Sequence, residues 1–374
     1  MDRSLQEVLG ADALSAFHNP GPVAHGLPSA AYTSGDFFAL ENDRLFRNAW
    51  VFVAFAHELA EPGDAIPVTV ADRPVLIVRN GAGELKAFHN VCRHRCLQLV
   101  DKPCNVGRVL RCPYHSWTYT LDGELKLTPY FGGRNPGDVP AGFDPSSRGL
   151  VPVRFGVWHD WIFVNLSGSA PEFEQFVSPL ARWLQGIDFS VLEHLVTIDL
   201  GEVRSNWKLL MENFIEPYHV QYVHSTTTEQ PLTDHYTINE SGCLGSAVEL
   251  PHSKEQPTRD DRLAVSSRYL TLFPNFVLGR YYPHQLGVHL NTPVAADRTL
   301  QRRAIYATSP KTVSSTEAKK LAKLWRDVHK EDHAICERLQ AGRASEIAAD
   351  GGLLSPIWEE SVLSFQKLVL DALQ

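Results

Sequence analysis

Between about Asp64 and Leu127 the chain is cut into short runs in which apolar and polar residues alternate: IPVTV, PVLIV, KAFHNVC and SWTYTLDGEL. The cuts fall at Asn80-Gly81 and Asp122-Gly123. Alternation sends successive side chains to opposite faces, and Asn-Gly or Asp-Gly supplies the positive-φ corner of a tight hairpin, so this region predicts a small antiparallel β domain. From about Val151 the period changes. Strands such as WIFVNL alternate with longer segments of helical spacing, RSNWKLLMENF near 204–214 and TEAKKLAKLWRDVHKEDHAICERLQAG near 316–342. That alternation predicts an α+β domain. In the second helix Ser314 and Glu317 read as a capping box, Gly342 as a stop, and Leu321, Trp325, Val328, Ile335 and Leu339 as the buried stripe.

Composition narrows the class. A chain of 374 residues with 44% apolar and 21% charged residues is ordinary globular material, long enough for two domains. The opening MDRSLQEVLG lacks the basic and apolar regions of a signal peptide, and no apolar run approaches the ~18 residues of a membrane span, so a soluble cytoplasmic protein is expected. A formal charge of -8 argues against nucleic acid and anionic membranes as partners. Six cysteines are too few for a disulfide scaffold, and four of them crowd between Cys92 and Cys112, which in a reducing compartment favours metal binding.

That stretch reads CRHRCLQLVDKPCNVGRVLRCPYH. Cys92 and His94 are two apart, Cys112 and His115 three apart, and seventeen residues separate the two pairs, enough for a loop out and a strand back. Zinc can take two cysteines and two histidines, but its common spacing puts like ligands on the same arm. Here each arm carries one of each. A Rieske [2Fe–2S] cluster has both thiolates on one iron and both imidazoles on the other, a demand that mixed arms meet. The spacing, with HNVCRHR and RCPYHSW around it, resembles the Rieske signature of aromatic-ring and amine oxygenases. A zinc site is the alternative. Cys96 stands where that family usually has glycine; it is expected to be a buried, inert thiol and no ligand.

Chemistry is also written into NWKLLMENFIEPYHVQYVH, Asn206 to His224. Trp207, Met211, Phe214 and Tyr218 share one helical face, while Glu212, Glu216 and His219 repeat on another. A polar face on such a helix can simply be solvated. Pro217, however, ends or kinks the helix, and His219 and His224, five apart, cannot point together from a straight one. Irregular backbone there suggests a site. Downstream, Asp332 falls on the expected buried stripe while Asp327, Glu331 and Glu337 project elsewhere. A carboxylate among core positions needs a cation or a hydrogen-bonding partner. Two histidines and one inward carboxylate make the facial triad of non-haem Fe(II) oxygenases, which leaves positions open for O2.

From about Phe46 to the C-terminal helix the chain therefore resembles the catalytic subunit of a Rieske non-haem iron oxygenase. The resemblance implies a Rieske domain over 46–150 and a catalytic domain of 1–45 with 151–374, built on an antiparallel sheet with flanking helices. Carried over by position, Cys92, His94, Cys112 and His115 hold the cluster, and His219, His224 and Asp332 ligate the mononuclear iron. Glu216 is the acidic bridge from His219 to a Rieske histidine, His115, of a neighbouring subunit, which implies a homotrimer or a multiple of one. The ENFIEPYH spacing and EDHAICE at 331–337 resemble the choline, glycine betaine and carnitine monooxygenase group, although Pro217 and Val220 depart from that group's common ECYHC.

The implied reaction is O2-dependent hydroxylation or demethylation of a small organic molecule. GAGELK at 81–86 lacks the third glycine and the following helix of a dinucleotide site, so electrons are expected from a separate NAD(P)H-dependent reductase, with or without a ferredoxin. For the substrate, NFVLGRYYPHQL alternates Phe276, Leu278, Arg280, Tyr282 and His284 onto one strand face. Arg280 could clamp a carboxylate and Tyr282 contribute to holding a quaternary ammonium; an exposed arginine on an ordinary strand explains the pattern equally well. Residues 225–262 read as a long loop over the entrance. An aromatic-ring dioxygenase, an aromatic-acid monooxygenase and a Rieske electron carrier or redox sensor are the alternatives.

Overall fold

The computed structural model describes residues 4–19, 21–224, 230–240, 242–249, 266–281, 285–308 and 313–374. The chain forms two compact units, Phe46–Pro171 and, from both ends of the sequence, Met1–Leu45 with Glu172–Gln374. The fold is α+β.

The smaller unit is all antiparallel. Leu85–His89, Arg73–Arg79, Asp64–Val70 and Cys104–Asn105 form one sheet in that order, and Val109–Arg111, Thr118–Thr120 and Leu125–Leu127 form another. The Asp122-Gly123 corner is tight. Gly123 has φ +91, and a Cβ there would lie 2.5 Å from the Phe88 ring, so glycine is required both for the turn and for the approach. Leu76, Val78, Phe88, Trp117 and Tyr119 make the core, and Cys92 and Cys112 belong to the same cluster. The unit ends at Pro171, not near residue 150 as the change of period suggests. The reason is long-range pairing: the buried strand Trp161–Asn165 runs antiparallel to Val51–Phe55 and to Arg154–Trp158, so WIFVNL belongs here.

The larger unit carries a seven-stranded antiparallel sheet in the order Glu193–Val203, Arg298–Ala307, Gln285–Ala295, Phe276–Tyr281, Ser266–Leu272, Cys243–Glu249, His235–Glu240. The last two strands occupy a stretch expected to be loop. They turn at Gly242, φ +81, while 225–229 and 250–262 of that stretch lie outside the described residues. The long helix Ser315–Arg343 starts with the expected Ser314–Glu317 capping box and packs through Ala322, Leu321 and Trp325 on Ile198 and Ile305 of the sheet. Trp207–Ile215 packs beside it, Leu210 meeting Cys336 and Val203.

The helix buries a different stripe from the one its leucines suggest. Ala322, His329, Cys336 and Gln340 are buried, whereas Leu339 is 44% exposed. Polar partners explain the rotation. Gln340 accepts from the Asn206 amide and donates to the Tyr32 carbonyl, and His329 meets Arg303. Glu212, one turn before Glu216, is likewise structural: it accepts from Tyr32 (2.6 Å) and Gln366 (3.1 Å) in the interior. No described helix is long and apolar enough to cross a membrane.

Candidate cluster loops and metal centre

The two Cys-plus-His arms are copies of one backbone turn. In the first, the Cys92 amide donates to the Leu97 carbonyl (2.8 Å) and Cys96 N–H to the Cys92 carbonyl (3.1 Å). In the second, Cys112 N–H donates to Trp117 (2.8 Å) and Ser116 N–H to Cys112 (3.0 Å). Each turn passes through a left-handed residue at the same place, Cys96 at φ +58 and Ser116 at φ +57. The cysteines that open both turns are buried, and the histidines lie farther out, with ring centroids 4.8 Å apart and His94 stacked on Trp117 at 4.8 Å.

Two buried thiols and two outward imidazoles are the donor set that a Rieske cluster divides between its irons, so the residues fit the group. Burial pushes the Cys92 thiol up, and Cys112 beside it adds to the effect, as two thiols sharing one site would. The Tyr119 hydroxyl sits 3.3 Å from Cys92 Sγ and accepts the Arg93 amide at 2.9 Å, bracing the first arm from the core. Cys96 differs from expectation: it is exposed, not buried. Its left-handed φ accounts both for the outward position and for the glycine usual there.

The second centre comes from a helix that stops. Trp207–Ile215 ends at Glu216, which precedes Pro217 and takes the extended conformation (φ -99, ψ 140) that a following proline enforces. His219 then begins the short turn Val220–Val223 and His224 ends it, which brings their rings to 5.3 Å. Asp332 approaches from the long helix. One ligand atom from each of His219, His224 and Asp332 lies within 4.8 Å of the others. Asp332 Oδ1 is 3.0 Å from His224 Nε2 and 3.8 Å from His219 Nε2, yet it is buried and makes no hydrogen bond. An orphaned carboxylate oxygen facing two imidazole nitrogens is what a divalent cation resolves, so this set fits a mononuclear iron.

Each histidine uses its other nitrogen in the same way. His219 Nδ1 lies 2.5 Å from Glu216 Oε1, whose second oxygen accepts the His219 amide at 3.1 Å. His224 Nδ1 lies 2.7 Å from Glu331 Oε2. Both carboxylates hold the proton on Nδ1 and turn Nε2 inward. Glu331 therefore does not project elsewhere, as its place off the apolar stripe suggested; the helix offers Glu331 and Asp332 to the two nitrogens of one imidazole. Burial works against the charged form of His224, but the Asp332 and Glu331 carboxylates outweigh it and raise it to about 9. His219 is raised too, Glu216 overcoming burial.

A cavity of about 160 Å³ opens on this triad, walled by Phe214, Tyr269, Tyr281 and Trp325, with Arg303 in its lining. Arg280 is not among its walls. Its strand neighbour Tyr281 is, so alternation turns Arg280 to the opposite face, where burial and then Arg268 lower it to about 10. Tyr282 lies outside the described residues. The arginine that reaches the cavity is Arg303, one strand beyond Gln285–Ala295. It and Glu331 escape a reading of local pattern. Arg302-Arg303 in the alternating TLQRRAIYA run was the available signal, since one of two adjacent arginines on a buried strand must face inward.

The chain matches the family model described as ring hydroxylating alpha subunit (catalytic domain) over residues 180–374, and that of the Rieske [2Fe-2S] domain over residues 49–136. It is 28% identical over 342 residues to a chloroplastic choline monooxygenase of Amaranthus tricolor, covering 88% of this chain and 74% of that one. With the carnitine monooxygenase oxygenase subunit of Acinetobacter pittii the identity is 29% over 370 residues, 93% and 94% of the two chains. The quaternary ammonium Rieske monooxygenase CntA in complex with L-carnitine superposes with a TM-score of 0.79 at 26% identity, covering 96% of this chain and 98% of that one. Naphthalene 1,2-dioxygenase from Rhodococcus sp. gives 0.79 at 18% identity, over 99% and 98%, a likeness of fold.

Proposed function

The chain belongs to the ring hydroxylating alpha subunits of the Rieske oxygenases, and from that premise we propose that it oxygenates a small quaternary ammonium compound. It is an oxidoreductase. Its Rieske cluster relays electrons and its mononuclear iron activates O2. Cys92 and Cys112 hold one iron of the cluster and His94 and His115 the other; His219, His224 and Asp332 hold the mononuclear iron. Glu216 fixes His219 and, through its remaining acceptor capacity, links it to the partner subunit's His115 in a homotrimer. A separate NAD(P)H-dependent reductase feeds the assembly in the cytoplasm.

The cavity carries the substrate reading. The cavity is compact, about 160 Å³, and four aromatic side chains line it beside the triad. Aromatic faces attract a quaternary ammonium, which has no hydrogen to donate, and hold its N-methyl groups or adjacent carbon toward the triad. The chain is similar to enzymes named for choline and carnitine.

The test is a screen. The purified protein, with a surrogate reductase and NADH, is offered trimethylammonium compounds, aromatic acids and neutral arenes, and products are read by mass spectrometry with O2 uptake. A hydroxylated or demethylated quaternary amine is expected. Product from arenes or aromatic acids alone would refute the substrate reading.

A further inference from the structure

Arg303 is a buried cation without an anion. It is 1% exposed, and no carboxylate among the described residues forms an ion pair with it. Its guanidinium lies flat: Trp325 covers one face at 3.6 Å, and a Cβ on Gly287 would come within 2.2 Å of Nη2, so only a glycine leaves room beneath it. Nη1 donates to His289 Nε2 (2.8 Å) and His329 Nε2 (3.3 Å). Both imidazoles accept through Nε2 and are therefore neutral; burial and then Arg303 hold both well below the ordinary histidine value. They orient the arginine without neutralising it. At the opposite edge Nε and Nη2 make no hydrogen bond to a carboxylate or a carbonyl, and the Tyr281 hydroxyl is the polar neighbour that interacts with the guanidinium.

Burying a guanidinium with no counter-charge is costly, and an Nε–Nη2 edge without a carboxylate is the side-on fork that binds one through two parallel hydrogen bonds. We propose that Arg303 is a carboxylate subsite of the cavity, so that the preferred substrate is a quaternary ammonium acid, a zwitterion, and not a quaternary ammonium alcohol. This rests on the quaternary ammonium reading above. Trp325 covers the guanidinium and the Tyr281 ring is 5.2 Å from Arg303 Cζ, so a carboxylate on the fork takes the place of the Tyr281 hydroxyl as its polar partner. The ammonium end then lies away from the like charge of Arg303, toward Phe214, Tyr269 and the Glu216 carboxylate in the lining. A net-neutral ligand adds no uncompensated charge to a closed site.

The test compares matched pairs on the iron-loaded full chain: γ-butyrobetaine and carnitine against choline and tetramethylammonium. The wild type should prefer the acids by on the order of 100-fold in kcat/KM, the scale of a lost charged hydrogen-bond pair. Arg303→Gln should raise KM for the acids about as much while changing kcat little and leaving choline within a few-fold; Arg303→Lys, which keeps charge without the fork, should fall between. Butyrate should compete with an acid substrate in the wild type. Equal use of choline and betaines by the wild type overturns the proposal even if no variant folds. So does an Arg303→Gln variant that weakens acids and alcohols alike, as a merely structural arginine would. If no trimethylammonium compound reacts but an aromatic acid does, the ammonium reading fails, and the same variant with that acid decides separately whether Arg303 binds the carboxylate.

Discussion

His94 and His115 are placed by backbone. Each rides on the same turn, closed by the same pair of main-chain hydrogen bonds, and all of it is contained between Cys92 and Trp117. His219 and His224 are placed by side chains: one leans on Glu216 three residues away, the other on Glu331, 107 residues away on a separate helix. The first kind of site needs little more than its own loops and a core to stand on. The second exists only when a broken helix, a long helix and a sheet have already docked. A cluster of two irons is large and tolerates loops with outward histidines; a single ion with open positions for O2 needs its imidazoles held in one orientation, and carboxylates supply that.

The contrast breaks most sharply at the ligands. Cys92→Ala or His115→Ala should abolish the visible charge-transfer absorption. Asp332→Ala should leave that spectrum whole while removing the mononuclear iron and all product, because Asp332 is the triad's only carboxylate. Iron content and absorption measured on the same samples decide the matter; a bleached Asp332→Ala protein would mean that the two sites are not built independently.

Glu216→Gln comes next. The amide oxygen still accepts from His219 Nδ1, so both centres should load and the cluster should still be reduced, but product formation should fall on the order of 100-fold. Single-turnover product yield after chemical reduction is the measurement. Near-normal turnover excludes Glu216 as the required link.

These differences track what the sequence could disclose. Cys-x-His and Cys-x-x-His are local spacings, and the loops that carry them are local structures, so their pairing was readable. The Pro217 break was readable too, because proline acts on the residue before it. The structure brings His219, His224 and Asp332 together, yet the stripe used to single out Asp332 is rotated: His329 and Gln340 are buried and Leu339 is exposed. Hydropathy cannot see a helix face whose neighbours are Arg303, Asn206 and Tyr32. Glu331 was invisible for the same reason, and Arg303 showed only as one of two adjacent arginines on a strand, since each acquires its role from an element far along the chain. Arg280 was chosen from the right strand and the wrong face, a slip of one residue that inverts every side chain.

Glu331→Ala tests that tertiary dependence with a smaller effect. Without Oε2 at 2.7 Å, the His224 ring loses the partner that keeps its proton on Nδ1. Iron affinity should fall 10- to 100-fold, read as Fe(II) or Co(II) titration of the apo site, with the cluster spectrum unchanged; Glu331→Gln, which still offers an acceptor, should lose less. Unaltered affinity in Glu331→Ala would return Glu331 to the status of a bystander.

The smallest effect probes the copied turn itself. Cys96 and Ser116 occupy equivalent left-handed positions, φ +58 and φ +57, where a Cβ costs about 1–2 kcal/mol and glycine costs none. Glycine loses about 0.5–1 kcal/mol more chain entropy on folding, so Cys96→Gly should stabilise the unit by roughly 0.5–1 kcal/mol. Ser116→Gly should do the same by the same amount, because the two turns share their hydrogen bonds. The unfolding midpoint, followed by loss of cluster colour and by circular dichroism, measures both. Retained colour in Cys96→Gly is expected, since its thiol is exposed whereas Cys92 and Cys112 are buried. Bleaching would make Cys96 a ligand and undo the assignment of the four, and a gain at Ser116 without one at Cys96 would show that the turns are alike in shape but not in strain.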